Sequence, residues 1–241
     1  PPDLPRRREL EYLSRELDSI EINGSFYSLQ RPSSYAKWHD ETPLANFFAS
    51  GVLRLGRKMG PFLWQLPEAL HYDEERIAGF LELLPHTTAE AAALARRHGE
   101  RPADRVWTHA ESKGTVRHAL EVRHPSYFEE PGFARLLRRH RVALVFADTA
   151  GRFPYAEEPT ADFVYLRLHG AEHLYASRYS DAQLDWWADR IRAWRRGAEP
   201  GDARRLTDDP PPGRRGRDAF VYFDNDAYAH APYDAQRLPT R

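Results

Sequence analysis

Six short apolar runs recur along the chain, and each run carries or meets polar side chains capable of chemistry. The runs are Asp18–Ile22, Pro61–Leu66, Ala119–Val122, Val142–Ala147, Phe163–Leu168 and Phe220–Phe223. The run Val142–Ala147 is apolar throughout, as expected for a strand with both faces covered. In parallel α/β folds the carboxyl ends of the strands meet at one rim, where ligands bind. The pattern therefore predicts the position of a site but not its reaction.

Helical patterns separate these runs, and the alternation predicts a parallel sheet. Helices are predicted at Ser33–His39, Asp73–Leu84, Thr88–His98, Gly132–His140 and Ser180–Trp194. In the last helix, Ser180 and Gln183 predict a capping box. Apolar residues at helical spacing in that helix, including its tryptophans, predict a face packed on the sheet. The segment Arg204–Arg217 is rich in Pro, Gly and Arg, which predicts a loop before the final strand.

The composition is typical of a globular protein rather than a disordered one. The 241 residues are 41% hydrophobic and 29% charged, and we interpret residues 1–241 as a single domain. No apolar run approaches the roughly 20 residues that a membrane span needs, and no signal peptide is recognised, so no membrane partner is predicted. The absence of cysteine excludes disulfides and thiolate metal sites and agrees with a cytoplasmic location. A net charge of −1 provides no overall attraction for nucleic acid, and the oligomeric state stays open.

Six motifs follow one another over nearly the whole chain. They are Glu21–Tyr27 with Trp38, Gly60–Pro67, Glu121–Pro125, Ala147–Gly151, Tyr165–Gly170 and Tyr222–Asp226. Taken in this order, they resemble the DUF72 family, also called YecE-like proteins. The resemblance implies a TIM-barrel-like α/β fold. It implies no established reaction, because the function of the family is unknown.

The chain departs from the DUF72 pattern in two places. Members of the family usually have a further strand before the position of Pro1 and another between the Trp38 helix and Leu44. Six predicted strands are fewer than the eight of a closed barrel. We therefore predict a parallel (β/α) barrel in which one or two strands are missing, in segments before Pro1 and near Thr42–Leu44.

The polar residues at the strand ends define a candidate active site. The predicted catalytic residues are Glu121, Asp148, His169 and Asp224, with the carboxylates as general acids or bases and the histidine as proton carrier. The predicted substrate-binding residues are Glu21, Asn23, Tyr27, Gln65, Arg123, His124, Arg167 and Asn225. At the last strand end we favour Asp224 as the site carboxylate and assign Asp226 to the turn.

The two strand-end arginines, Arg123 and Arg167, predict recognition of an anionic group. A guanidinium binds phosphate or carboxylate through two parallel hydrogen bonds. Because an unpaired buried guanidinium is costly, each arginine is expected to be buried beside a carboxylate or a bound anion. A structural interpretation also remains, in which pairs of the Glu121–Arg167 and Asp148–Arg123 type only satisfy each other.

A divalent metal is an alternative that the sequence does not favour. Several carboxylates with His124 and His169 have the right ligand types. However, two neighbouring guanidinium groups repel a cation, and no H-x-x-E-H or H-E-x-x-H spacing occurs. No metal ligand is assigned, and the cofactor stays unknown.

Three functions remain open at this point. The favoured one is an enzyme of the hydrolase or isomerase class that acts on a small phosphorylated or carboxylated substrate. The second is a nucleic-acid-binding or processing protein resembling endonuclease IV-type barrels, by analogy of fold alone. The third is a non-catalytic barrel that binds a ligand or a partner.

Overall fold

The computed structural model describes residues 5, 8–22, 41–213 and 215–238. Within these residues the fold is α/β and TIM-barrel-like, with five parallel strands that alternate with helices and follow one another in the sheet in chain order. The strands are Phe62–Gln65 (β1), His118–Glu121 (β2), Val142–Asp148 (β3), Phe163–Leu168 (β4) and Asp218–Phe223 (β5). Five strands are fewer than a closed barrel needs, in agreement with the prediction of missing strands.

Seven α-helices lie in the described part of the chain. They are Glu9–Glu16 (α1), Thr42–Phe48 (α2), Glu74–Glu82 (α3), Thr88–Ala95 (α4), Pro131–Arg139 (α5), Asp181–Arg195 (α6) and Ala231–Arg237 (α7). The predicted capping box of α6 is confirmed: the Gln183 amide donates to the Ser180 hydroxyl, and the Gln183 side chain accepts from the Ser180 amide. The described residues of Arg204–Arg217 contain no helix or strand, as predicted.

One predicted strand was wrong. Residues 18–22 form no strand among the described residues, and Ile22 is 60% exposed. The alternation of apolar and polar residues there is short, and its apolar side chains are not buried. The predicted helix Ser33–His39 lies outside the described residues.

The chain divides into two compact units. The first consists of Pro1–Ile22, Gln65–His71 and Leu120–Arg241, and the second of Asn23–Trp64 and Tyr72–Ala119. In the first unit the face of α6 packs on the sheet as predicted, with Phe146 and Trp194 ring centroids 5.0 Å apart. In the second unit Phe47, Phe48 and Phe62 form an aromatic cluster with edge-to-face contacts.

The register of β3, β4 and β5 places the predicted site residues of these strands at the same end of the sheet. Ala147 pairs with Arg167 and Asp148 with Leu168 across β3 and β4. Arg167 in turn pairs with Tyr222 across β4 and β5. These positions lie at or near the carboxyl ends of parallel strands. The residues that follow them therefore share one rim of the sheet.

Candidate active site

Arg167, in β4, is the centre of an ionic network in the first unit. It is buried, and its Nη1 lies 2.7 Å from Glu121 Oε2. Its Nη2 lies 2.9 Å from Glu21 Oε1 and 3.1 Å from Asp224 Oδ2. Nη1 also donates to Gln65 Oε1 at 3.2 Å. The expectation of a buried arginine beside carboxylates is therefore confirmed.

The strand ends explain why these residues meet. Gln65 and Glu121 are the last residues of β1 and β2, and Arg167 is the last but one of β4. Asp224 follows β5 directly, and its amide donates to the Leu168 carbonyl at 2.9 Å. The parallel arrangement thus places three polar side chains from three strand ends around the Arg167 guanidinium.

Glu121 is an ionised anchor for both arginines. Its side chain is 1% exposed, and Arg123 places Nε and Nη2 each 2.9 Å from its Oε1. Burial opposes ionisation of this carboxyl, but the charges of Arg167 and Arg123 outweigh that effect and lower its pKa. Glu121 therefore keeps its negative charge at neutral pH.

Asp224 differs from Glu121 because it is partly open to solvent. Its side chain is 30% exposed. Burial raises its pKa, Arg167 opposes that rise, and the carboxylates of Glu21 and Asp226 add to it. A partly exposed carboxyl with a raised pKa has the properties of a proton donor or acceptor.

His169 is buried next to Asp224. Its Nε2 lies 3.5 Å from Asp224 Oδ2, and within the described residues neither ring nitrogen makes a hydrogen bond of regular geometry, although the Arg167 backbone is near enough to favour the protonated ring. Burial lowers its pKa to about 4; Glu121 opposes this shift, while the charges of Arg167 and Arg123 add to it. The imidazole is therefore neutral at neutral pH.

Among the residues that the structure describes, the network carries more negative than positive charge. Three carboxylates (Glu21, Glu121 and Asp224) surround two guanidinium groups (Arg123 and Arg167), so the sum is −1 when all are ionised and His169 is neutral. Arg167 is thus already compensated by protein carboxylates. The side chain of Arg123 is more open, at 16% exposure against 3% for Arg167.

Asp148 stands apart from this network. The expected pairing of Asp148 with Arg123 does not occur within the described residues; the Tyr179 hydroxyl donates to Asp148 Oδ2 at 2.9 Å. Burial raises the pKa of Asp148, and this hydrogen bond opposes the rise. The reason for the difference is that Arg123 turns to Glu121, its neighbour two residues earlier.

Two further predicted residues turn to other partners. His124 accepts a hydrogen bond from the Ser126 amide at 3.2 Å, and its ring centroid lies 3.7 Å from that of His71. Asn225 is buried and donates to the Ser177 carbonyl at 2.9 Å and to Asp234 Oδ2 at 2.8 Å. Both stabilise local loop structure. Asn23 and Tyr27 lie outside the described residues.

Sequence reasoning missed Tyr165. Its hydroxyl donates to Glu21 Oε2 at 2.5 Å, and it is buried. Tyr165 and Arg167 are two residues apart in β4, so they share one face of the strand. That spacing was the signal that could have identified it.

The side chains at this rim include residue types that bind metal ions, so their arrangement is relevant to the metal alternative. Within the described residues, no group of three His, Cys, Asp or Glu side chains is arranged to hold a metal ion.

Of the helices in the same residues, none is both long and apolar enough to cross a bilayer.

A family comparison agrees with the motifs at this rim. The model of DUF72, described as a protein of unknown function, matches residues 1–45 and 39–241. The chain belongs to the DUF72 family. The two matched segments overlap at residues 39–45, and this overlap includes Thr42–Leu44, where the sequence departs from the family pattern.

Solved structures of the family share the fold. Two crystal structures of a DUF72 family protein from Enterococcus faecalis V583 are similar at 14% identity. The match to the first has a TM-score of 0.59 and covers 98% of this chain and 78% of the solved chain. The match to the second has a TM-score of 0.54 and covers 95% of this chain and 90% of the solved chain. No curated protein matches the chain.

Proposed function

We propose that this DUF72 protein is an enzyme that acts on a small anionic substrate by acid–base chemistry at the carboxyl ends of the strands. The observation that carries the proposal is the pair formed by Asp224 and His169. The carboxyl is 30% exposed and has a raised pKa, and the imidazole, whose Nε2 lies 3.5 Å from it, makes no hydrogen bond of regular geometry within the described residues. Perturbed ionisable groups with unused hydrogen-bonding capacity are typical of catalytic sites.

Each member of the network has a distinct role in this proposal. Asp224 exchanges a proton with the substrate, because it is the most exposed carboxyl of the network. His169, neutral at neutral pH, relays or accepts that proton. Glu121 is a positioning residue, since it stays ionised and holds Arg167 and Arg123 in place.

Arg123 supplies the contact with the anionic group of the substrate. Arg167 is surrounded by carboxylates, so an anion that reached it would have to displace one of them. Arg123 is more exposed and keeps a planar guanidinium near the rim. Hydrolysis and isomerisation of phosphorylated or carboxylated compounds both need one proton donor and one acceptor, which this pair provides.

A panel of model substrates tests the proposal. Purified protein is assayed with p-nitrophenyl phosphate and bis-p-nitrophenyl phosphate by absorbance, and with aldose phosphates by proton NMR for isomerisation. The matched variants are Asp224→Asn in the site and Asp104→Asn, an exposed carboxylate of the second unit. We expect turnover that Asp224→Asn abolishes and Asp104→Asn retains.

Two outcomes of this assay would contradict the proposal. Equal turnover in the two variants would remove Asp224 from the mechanism. Thermal stabilisation by one of these compounds without any turnover would instead favour a non-catalytic ligand-binding barrel.

A further inference from the structure

A cavity of about 750 Å³ opens beside the carboxyl end of β3, in the first unit. It lies between the loop that follows β3 and the first turns of α6. The lining residues that matter here are Asp148, Phe153, Tyr155, Tyr179, Trp186 and Arg204. Its size and mixture of aromatic and polar groups are typical of small-molecule sites. Arg167, His169 and Asp224 do not line it, but Arg123, which we assign to the substrate anion, lies 4.9 Å from the ring centre of the lining residue Phe153, so the cavity is a neighbour of the acid–base pair.

Trp186 forms an aromatic surface in this cavity. It is 41% exposed, whereas its neighbour Trp187 is buried. The Arg190 guanidinium lies 3.8 Å from the centre of the Trp186 ring, and Arg190 is itself buried and paired with Glu157 at 3.3 Å and Asp202 at 2.7 Å. A paired arginine therefore holds an exposed indole in one orientation. A large aromatic ring that is exposed yet ordered costs little entropy when it binds a ligand.

Positive charge surrounds the other aromatic rings of the cavity. The Arg204 guanidinium lies 4.9 Å from the Tyr155 ring centre, and the Arg152 guanidinium lies 5.6 Å from that of Phe153. In the part of the chain that the structure describes, neither Arg152 nor Arg204 forms an ion pair. The carboxyl in the lining is Asp148, whose pKa is raised by burial. Arg204, which lines the cavity and has no ion pair within the described residues, is the group that can bind an anion there.

The loop that carries these groups is held by a tight turn. Ala150 and Gly151 have φ values of 53° and 75°, and the Arg152 amide donates to the Thr149 carbonyl at 2.9 Å. Positive φ at both central residues is the pattern of a type I′ turn. The Phe153 amide donates to the Thr149 hydroxyl oxygen at 3.0 Å, which fixes the end of the loop. A non-glycine residue at positive φ is typical of functional loops.

We propose that this cavity binds a nucleoside phosphate. The flat base stacks on Trp186 and Tyr155, and the phosphate pairs with Arg204. Asp148, held by the Tyr179 hydroxyl, accepts a hydrogen bond from the base or the ribose. Stacking on an aromatic ring is open to every base, so the aromatic wall selects a planar ring without choosing among the bases. Arg204 adds the requirement for an anionic group.

Isothermal titration calorimetry of the full chain tests this binding. The probes are AMP, adenosine and ribose 5-phosphate, which separate the base from the phosphate. We expect AMP to bind at micromolar to millimolar concentration and each of the other two to bind about tenfold more weakly or worse. Trp186→Ala and Arg204→Gln should each weaken AMP by about tenfold, while Trp186→Phe, which keeps a ring, should bind nearly as well as the parent chain.

Matched controls lie outside the cavity. Tyr228→Ala removes another exposed aromatic ring, and Arg139→Gln removes another exposed arginine. Both should bind AMP normally. The proposal is overturned if AMP does not bind at millimolar concentration, if ribose 5-phosphate binds as tightly as AMP, or if the cavity and control variants behave alike. Binding of a short oligoadenylate with loss of AMP binding would assign the surface to nucleic acid instead. Asp224→Asn should leave AMP binding unchanged, which distinguishes failure here from failure of the proposed reaction.

Discussion

Two of the buried arginine–carboxylate networks in the first unit contrast with each other, and the first of them surrounds Glu158. This carboxylate is fully buried and pairs with Arg138 and, through both oxygens, with Arg205 at 2.8 and 2.7 Å. It also accepts a hydrogen bond from the Leu206 amide at 3.0 Å. Asp209 lies at the edge of the Glu158 network, 3.9 Å from Arg138, and the contacts of Glu158 hold the loop after α6 on the fold.

The network around Arg167 has the opposite balance. Three carboxylates face two guanidinium groups, one of the carboxyls is partly exposed, and the adjacent His169 has no hydrogen bond of regular geometry within the described residues. A buried ion pair by itself is weak evidence for function, because structural networks also contain such pairs. The two networks differ in the exposure of one carboxyl, because Asp224 is 30% exposed whereas Glu158 is fully buried.

The largest expected effect is on the Glu158 network. Glu158→Gln leaves Arg138 and Arg205 without their carboxylate and should lower the free energy of unfolding by about 3–5 kcal/mol. Urea denaturation of this variant and of Asp208→Asn, an exposed neighbour, measures the difference. A loss below about 1 kcal/mol, the range of exposed ion pairs, would contradict the structural role of Glu158.

The next effect depends on pH and concerns His169. Its pKa is about 4 in the folded protein, against about 6.5 for an unperturbed histidine. The unfolded chain therefore binds the proton more tightly, so stability falls as the pH drops below about 6.5, by on the order of 3 kcal/mol at pH 4. Between pH 7 and pH 4, the free energies of unfolding of the parent chain and of His169→Gln, measured by urea denaturation, should diverge by this amount. Parallel curves would show that His169 titrates normally.

A matched pair of histidines gives a somewhat smaller effect. His118, in the second unit, accepts from Trp64 Nε1 at 3.1 Å, and its Nε2 lies 2.7 Å from the Pro85 carbonyl. His118→Phe leaves both partners unsatisfied and should cost about 2 kcal/mol. His169→Phe breaks no hydrogen bond of regular geometry within the described residues, so at pH 7 it should cost less than His118→Phe. Equal losses in the two variants would indicate that His169 is as structural as His118.

The smallest stability effect is expected where function is proposed. The pKa of Asp224 is raised, so its ionised form is disfavoured in the folded protein above the usual pKa of an aspartate. Asp224→Asn removes that charge and should change the free energy of unfolding by less than about 1 kcal/mol at pH 7. Thermal denaturation next to Glu158→Gln measures the contrast. A loss as large as that of Glu158→Gln would place both networks in the same structural class.

Most of the elements could be predicted because their signals are local. The apolar runs that became β1 to β5 and the capping box of α6 depend on residues close together in sequence. The run Asp18–Ile22 has the same local pattern but forms no strand among the described residues, because no burial of its apolar side chains accompanies it. Periodicity predicts which face is apolar, whereas pairing in a sheet needs a partner that the local pattern does not contain.

The sequence by itself determined the alternation of strands and helices, the family, and the presence of polar side chains at the strand ends. Only the tertiary structure decided how those side chains divide: Glu21, Glu121 and Asp224 meet at Arg167, while Asp148 turns to Tyr179. It also decided that Trp186 and Arg204 share a cavity. The physical reason is that strand-end positions follow from short-range pattern, whereas partner choice between distant charged groups follows from strand register, side-chain direction and burial.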